Sequence, residues 1–413
     1  METLKLGLVP SPDLPTVLTG KIVDDLPDLL GNQVDEQTSW KPEIVIDPLI
    51  GSAEYMNELM DKVIDLKNKN NWDYMICLTD LPHFMDKHVI MAEINHDDKV
   101  ALISIPAFGF FPLKQRIKQT ICQVIKDMYP EKAKESSIKA GGMTRKEYRK
   151  QRKANRGDPF KAVTRVDLHD EKGNPHTTTS SQNEHDEQNE KTQEDTGKRS
   201  DLRYIIRSKF IGWLRILAGM VFANRPWRAL FSFKKVLMLA FGTGIYITLF
   251  PTPWELSTIY SVPRFSTLMI AAMIAMVVWM IFAHNLWEKP TKKGDIRLRK
   301  LYNITTVSTL SVIVIINYLA LFCLFLATLY IFVPAHLFEA ATNIDGNASF
   351  IHYVRLTWLS ASLGTLAGSI GTAGENEDTI REITYSYRQI NRYYEIQDQY
   401  EKDHADNSAY KTS

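Results

Sequence analysis

Cysteine is scarce in this chain, and its few cysteines are not arranged for cross-linking or for metal binding. Among 413 residues there are three, Cys77, Cys122 and Cys323. They are odd in number, lie far apart and form no CxxC pair, which argues against a disulfide framework and a zinc ribbon. This usage is typical of a reducing compartment.

Several motifs of catalysis and nucleotide binding are also missing. The sequence has no GxxxxGK[ST] and no GxGxxG after a strand, so it contains no recognisable phosphate cradle. It has no GxSxG nucleophile elbow either. We therefore expect no cofactor, no bound metal and no nucleic-acid partner. The first residues lack a basic region followed by a long apolar run, so a signal peptide is not expected.

Positive charge is distributed unevenly around the apolar stretches of the second half. Ten cations and a single acid occur within 198–235, and six further cations lie within 285–303. The segments 251–264 and 334–354 contain one cation between them. Because cytoplasmic loops collect Lys and Arg, this pattern predicts a multi-pass protein of the cell membrane with both termini in the cytoplasm.

The apolar stretches predict an all-α bundle of four transmembrane helices within 236–374. The predicted spans are about 236–254, 265–283, 304–333 and 356–373. They are nearly free of ionisable groups, which disfavours an ion-coupled carrier. Asn317 is the strongest polar residue at mid-span, and we interpret it as an interhelical hydrogen-bonding residue.

Small residues recur at steps of four in the fourth span, which favours close helix packing. They are Ser360, Gly364, Gly368 and Thr372. Two interpretations remain open, namely packing within the bundle and self-association into a homo- or hetero-oligomer. A heptad-like stripe in 377–401, on a predicted cytoplasmic helix and tail at 375–413, offers a second contact surface for an oligomer.

The first half of the chain predicts a soluble domain followed by a linker. In residues 1–130 strands alternate with helices, which indicates an α/β cytosolic domain with a mostly parallel sheet. Its last two strands, 89–94 and 100–105, are expected to form a hairpin. Residues 131–200 have little to bury and carry blocks of charge, so they predict a disordered linker.

The segment 201–235 mixes cations with large apolar side chains. This composition is typical of a helix that lies in the membrane interface. We expect it to bind the lipid bilayer through anionic lipids of the inner leaflet, together with the cations that start at Lys198.

Aspartates follow the first three predicted strands, where ligands gather in open α/β sheets. The candidate ligand-crevice residues are Asp13, Asp47, Asp80, His83, Asp86 and His88. Three interpretations are open: turns and helix caps beside prolines, a small-ligand crevice, or a divalent metal site, although the spacing matches no defined metal motif.

Three segments of the first half carry a family resemblance: CLTDLP, ALISIPAFGF and RIKQTICQVIKDMY. In these the domain resembles archaemetzincins, in which two such strands precede a zinc helix with the motif HExxH. Here Cys122, Gln123 and Lys126 stand at the His, Glu and His positions, so the resemblance implies a metzincin-like scaffold without the protease site. The whole chain also resembles uncharacterised multi-pass membrane proteins of Gram-positive bacteria, which implies no activity.

These observations predict an integral membrane protein that carries a cytosolic α/β binding or regulatory module and is not an enzyme. One alternative is a membrane-bound, hydrolase-like enzyme that uses the Asp/His cluster of the first domain. Another is a permease-type transporter with a cytosolic regulatory domain.

Overall fold

The chain folds into two compact units that divide between Ala223 and Asn224. We call the first the sheet domain and the second the helical unit. The computed structural model describes residues 2–47, 56–85, 87–129, 159–167, 201–228, 233–288, 296–342 and 348–372. The predicted helix within 375–413 lies outside these residues.

The sheet domain is a mixed β-sheet with helices packed on it. Its described strands are β1 (Glu2–Pro10), β2 (Thr38–Ile44), β3 (Tyr74–Thr79), β4 (His83–Met85), β5 (His88–Asn95), β6 (Val100–Ser104), β7 (Val163–Asp167) and β8 (Leu202–Ile206). Its described helices are α1 (Leu14–Gly20), α2 (Leu26–Gln33), α3 (Met56–Lys69), α4 (Leu113–Met128) and α5 (Lys209–Ala223). The strand order is β2-β1-β3-β6-β5-β8-β7, and β4 pairs with β5.

This sheet is mixed, with one parallel half and one antiparallel half, so the expectation of a mostly parallel sheet holds for the first half alone. The strands β2, β1, β3 and β6 pair in parallel. The predicted hairpin is confirmed, because β5 and β6 are antiparallel. That hairpin reverses the chain direction, and β4, β8 and β7 then continue with antiparallel pairs.

Strands β7 and β8 lie where the sequence predicted a linker and an interfacial helix. Strand β7 falls within 131–200, and β8 falls within 201–235. Leu202, Tyr204 and Ile206 are buried, while the cation between the first two, Arg203, pairs with Glu93 of β5. Four of the five residues of β8 are buried and its one charge is paired, which suits a strand inside the sheet. These residues therefore form a strand and not part of an amphipathic helix.

A further part of the predicted interfacial helix, α5, also belongs to the sheet domain, whereas residues from Asn224 onwards belong to the helical unit. Helix α5 packs against the short 3₁₀ turn Ile105–Phe108. The approach is close, because a Cβ atom on Gly219 would lie 2.4 Å from the carbonyl oxygen of Pro106. Only glycine fits there.

The helical unit contains α6 (Lys234–Thr248), α7 (Pro251–Ile259), α8 (Val262–Ala283), α9 (Ile296–Phe332), α10 (Ala335–Thr342) and α11 (Phe350–Gly371). By length and composition, α8 and α9 can cross a membrane, and α6 with α7 adds a third crossing if the bent pair counts as one span. Helix α11 is not among these candidates, so the four crossings expected from the sequence are not established.

The first predicted span, 236–254, is not one straight helix. Helix α6 ends at Thr248, α7 begins at Pro251, and their axes differ by 88°. Phe250 between them is extended, with φ −84° and ψ 147°. Proline disfavours a helical conformation in the residue before it and has no N–H for the helix ladder, which explains the break.

Helix α11 forms the centre of the helical unit, where it contacts α6, α7, α8 and α9. Helix α9, with 37 residues, is roughly 55 Å long, more than the ~30 Å hydrocarbon core of a bilayer. Its first turns, which carry Arg297, Arg299 and Lys300, therefore extend beyond the predicted span 304–333.

Candidate functional site

The polar groups at the carboxyl ends of the central strands bond mainly to one another. Asp80 follows β3, is 1% exposed, and accepts a hydrogen bond from Ser11 Oγ at 3.1 Å. Thr79 Oγ1 accepts from the backbone N–H of Leu81 at 3.1 Å, and Ser104 Oγ donates to the carbonyl of Leu81 at 2.6 Å. These bonds tie the ends of β1, β3 and β6 together.

The other two strand-end aspartates have different environments. Asp13 is exposed and precedes α1 with φ 70° and ψ −119°, without a side-chain capping bond. Asp47 is half-buried, and its charge adds to the effect of burial in raising the pKa of the Cys77 thiol. Asp80 is thus the only one of the three that is buried. Asp86 lies outside the described residues.

His83 belongs to a second polar cluster, on the antiparallel side of the sheet. Arg203 of β8 stands opposite Glu93 of β5, and its guanidinium donates to the Glu93 carboxylate. Arg203 also lies 3.4 Å from the sulfur of Met85. Both charged side chains are nearly buried, at 11% and 13% exposed, so this ion pair is shielded from solvent.

The imidazole of His83 is the unsatisfied member of this cluster. Its Nε2 atom is buried and has no hydrogen-bond partner among the described residues. Burial lowers the pKa of His83, the nearby Arg203 lowers it further, and Glu93 acts in the opposite direction. The ring is therefore neutral near pH 7 and offers one buried nitrogen for a hydrogen bond. His88 is half-buried and stands opposite Met85 across the β4–β5 pair.

The candidate residues thus divide between two environments, with Asp80 bonded to Ser11 and His83 facing Glu93 and Arg203. Within the described residues, no group of three or more His, Cys, Asp and Glu side chains is arranged to hold a metal ion.

On α4, burial raises the pKa of Cys122 to about 12, and Gln123 bonds to Asp127 at 3.3 Å. A protonated thiol and an amide at these positions cannot supply the ligand and base chemistry of HExxH.

Two neighbouring segments of the sheet domain expose large apolar side chains. Phe110 and Phe111 are 61% and 75% exposed, and they follow Gly109, which adjoins Arg215 of α5. Helix α5 adds Phe210, at 70% exposed, with Ile211 and Leu214. We call these five side chains the aromatic patch. The exposed cations Lys114 and Lys209 flank it in sequence.

In the helical unit, the small-residue stripe of the fourth predicted span faces α6 of the same chain. A Cβ atom on Gly364 would lie 2.7 Å from the Ala240 carbonyl oxygen, and one on Gly368 would lie 2.8 Å from the Ala240 Cβ. Ser360 Oγ lies 2.9 Å from Thr248 Oγ1. The Thr372 carbonyl oxygen lies 3.0 Å from His284 Nε2.

Among the described residues, Asn317 makes no interhelical hydrogen bond. Its Nδ2 donates to the carbonyl of Ile313 in its own helix at 3.1 Å, and its Oδ1 is buried without a partner in the described part of the chain. A cavity of about 10 Å³ adjoins it, lined also by Tyr318, Thr365 and Gly368. This is near the least space that holds one water, which would satisfy the Oδ1 atom.

Sequence reasoning missed the polar cluster that joins β7 and β8 to α4. The Tyr204 hydroxyl donates to Asp127, and Arg165 contacts the same carboxylate at 3.1 Å. Both partners lie in segments predicted as linker and interfacial helix. The sequence LRYII at 202–206, in which three of the five residues are β-branched or aromatic, was the signal that indicates a strand.

Comparisons with protein-family models, with curated proteins and with solved structures give no match.

Proposed function

We propose that this chain is a multi-pass protein of the cell membrane whose sheet domain is a cytosolic binding or regulatory module held at the lipid surface. The aromatic patch carries this proposal. Five exposed apolar side chains come from two segments that approach each other at Gly109 and Arg215, and cations flank them in sequence. Apolar patches of this kind mark interaction sites, and exposed aromatics beside Lys and Arg suit the interface of an anionic leaflet.

The proposal includes four crossings, made by α6 with α7, α8, α9 and α11. Helix α11 has one Arg or Lys, Arg355 in its second turn, and this charge is accommodated. Its guanidinium donates to the carbonyl oxygens of Thr258, at 3.1 Å, and of Tyr260, at the end of α7. A cation bonded to the carboxyl end of a helix is favourable, which lowers the cost of placing α11 in the bilayer.

A ligand of the sheet domain would bind beside His83. The neutral imidazole has one nitrogen without a partner among the described residues, and it lies beside the nearly buried Glu93–Arg203 pair. Catalysis receives less support, because burial raises the pKa values of the Cys77 and Cys122 thiols, and Asp80 is engaged by Ser11. Metal analysis of the purified chain tests the enzyme alternative. We expect well below one zinc per chain, and stoichiometric zinc that is lost in His83→Gln or His88→Gln would support that alternative instead.

Cysteine labelling tests the crossings. In a Cys323→Ala background, single cysteines at Ser261 and Ala335 should react with an impermeant maleimide from outside the cell. Cysteines at Lys234 and Lys300 should react only after permeabilisation. A cysteine at Ser261 that labels from the same side as one at Lys234 would make α6 and α7 a re-entrant pair and overturn the four-crossing model.

A fluorescent label tests the aromatic patch. In the same background, a bimane on Phe111→Cys should shift to the blue in nanodiscs with anionic lipid, and the shift should weaken in high salt. A label on Val17→Cys, an exposed apolar position on α1, is the matched control and should not respond. Identical spectra at position 111 in anionic and zwitterionic nanodiscs would contradict binding of the patch to anionic lipid.

A further inference from the structure

A long groove runs between α8 and α9 in the helical unit. Its volume is about 680 Å³, within the range of small-molecule sites. Its lining is apolar except for Ser311, and the Ser311 hydroxyl already donates to the carbonyl of Val307 at 2.8 Å. The side chains that shape the two walls are Ile274, Val278 and Ile281 from α8 and Val307, Val314 and Ile315 from α9. The groove therefore suits a ligand segment without polar groups.

The groove is long as well as apolar. Along α8 it extends from Ile270 to Phe282, thirteen residues that span roughly 18 Å. Several of its lining side chains remain exposed, Ile270 at 51% and Ile274 at 57%, so the groove is open along its side. When α8 and α9 cross a bilayer, such a side opening faces lipid, and an acyl chain has the matching shape.

Charge is concentrated at one end of this groove. Trp287 lines that end and is 56% exposed. Lys300 lies seven residues before Val307 on α9, hence on the same helix face and about 10 Å away along the axis. Lys300 is exposed and forms no ion pair among the residues that the structure describes. Arg299 stands beside it, and Glu288 follows Trp287.

We infer that this groove is a binding site for an anionic glycerophospholipid. One acyl chain lies between α8 and α9, the indole of Trp287 lies at the headgroup boundary, and the phosphate lies near Lys300. Trp is enriched at that depth, and a Lys attracts an anionic headgroup there. The inference rests on the proposed crossings of α8 and α9, and it goes beyond them by assigning a ligand to this cleft.

Native mass spectrometry of the full chain tests the site. The protein is released from nanodiscs that contain equal amounts of phosphatidylglycerol and phosphatidylcholine, and retained lipids are counted. The wild-type chain should retain one phosphatidylglycerol in preference to phosphatidylcholine. Val278→Trp fills the groove and should reduce that retention at least tenfold, whereas Leu319→Trp, at an exposed position of α9 outside the groove, should not.

A charge variant separates headgroup recognition from simple filling of the groove. Lys300→Glu should abolish the preference for phosphatidylglycerol, while Lys234→Glu, the same change at an exposed position of α6, should leave it intact. Equal retention of phosphatidylglycerol in the wild type, Val278→Trp and Lys300→Glu would overturn the inference. Cysteine labelling that shows α8 and α9 to cross, together with no retained lipid in the wild type, would overturn the lipid site alone.

Discussion

Buried polar groups are satisfied across strands in the sheet domain but mostly along single helices in the helical unit. Glu93 and Arg203 are far apart in sequence and pair only when β5 and β8 adopt one register. In the helical unit, Thr248, Ser360 and Thr365 each donate to the carbonyl four residues earlier. A hydroxyl that bonds to its own helix keeps its hydrogen bond in any packing arrangement, so it does not determine which helices pack beside it.

Close backbone approach supplies the missing specificity in the helical unit. Gly364 and Gly368 of α11 let the backbone of α6 approach at Ala240, and Gly244 of α6 accommodates the ring of Phe325. Small residues play this role in membrane bundles, where apolar surface alone does not distinguish a helix from lipid. Charge pairs and strand register thus determine the arrangement of the sheet domain, whereas glycines at the helix contacts determine that of the helical unit.

The largest effect is expected from breaking the buried ion pair. Arg203→Met leaves the Glu93 carboxylate nearly buried without its partner, which should cost the sheet domain about 3–5 kcal/mol. Pulse proteolysis of the full chain in urea measures this change. The control is Lys41→Met, which breaks the exposed pair with Glu43 and should cost no more than about 1 kcal/mol. Equal losses in the two variants would show that burial does not set the value of the pair.

An intermediate effect is expected from adding one methyl group to α11. Gly364→Ala places a Cβ atom 2.7 Å from the Ala240 carbonyl oxygen, so α6 and α11 must separate, at a cost of about 1–3 kcal/mol. Unfolding in mixed detergent micelles with sodium dodecyl sulfate measures the loss. Gly242→Ala is the matched control, because nothing lies within 4 Å of its added Cβ. If Gly364→Ala is as stable as Gly242→Ala, close packing does not hold α11 in place.

The sequence predicted the parts of the fold that local patterns encode. Apolar runs indicated β1, β3, β5 and β6, and the apolar periodicity of Leu113–Met128 coincides with α4. Local patterns did not predict the strand Leu202–Ile206, because the sequence indicated that Arg203 is exposed to solvent. In the structure Arg203 pairs with Glu93 of β5. No local sequence pattern predicts that Arg203 pairs with Glu93, which lies 110 residues away in the chain.

The candidate sites show the same limit. Asp80 was visible as a strand-end carboxylate, but its bond to Ser11 depends on β1 lying beside β3. His83 was visible as well, whereas its neighbours Glu93 and Arg203 come from β5 and β8. In the helical unit, Pro251 and Pro253 gave the signal for the break in the first span. The apolar run around them outweighed it in the sequence interpretation.

A smaller effect, which depends on pH, tests whether His83 belongs to the sheet domain's charge network. Its pKa is lowered in the folded chain, so below about pH 6.5 the unfolded state binds a proton that the folded state does not. The stability contribution of His83 is therefore complete above about pH 6.5. It decreases as pH falls towards the folded pKa, by at most about 1.4 kcal/mol per pH unit.

Urea midpoints of the full chain at pH 7.5 and 5.5 measure this dependence. His83→Gln removes the titrating group, so the wild type should lose more stability between the two values than the variant does. All other titratable groups are the same in both proteins, so their contributions cancel in the comparison. An identical loss in the wild type and His83→Gln would show that protonation of this ring does not destabilise the folded state. In that case His83 would not be shielded from solvent.

The smallest effect concerns the hydroxyl pair between α6 and α11, which tests whether any side-chain bond adds to the glycine contacts. Thr248 and Ser360 lie 2.9 Å apart, but each hydroxyl also bonds to its own helix. Such pairs are worth about 0.6 kcal/mol in membrane proteins, so Ser360→Ala should cost roughly that amount. Thr328→Ala, which loses only a bond to its own helix, is the control and should be nearly neutral.

A double-mutant cycle with Thr248→Val isolates the coupling energy between Thr248 and Ser360. A coupling above about 2 kcal/mol would exceed what such pairs supply, and it would mean that the helical unit, like the sheet domain, relies on a specific polar partner.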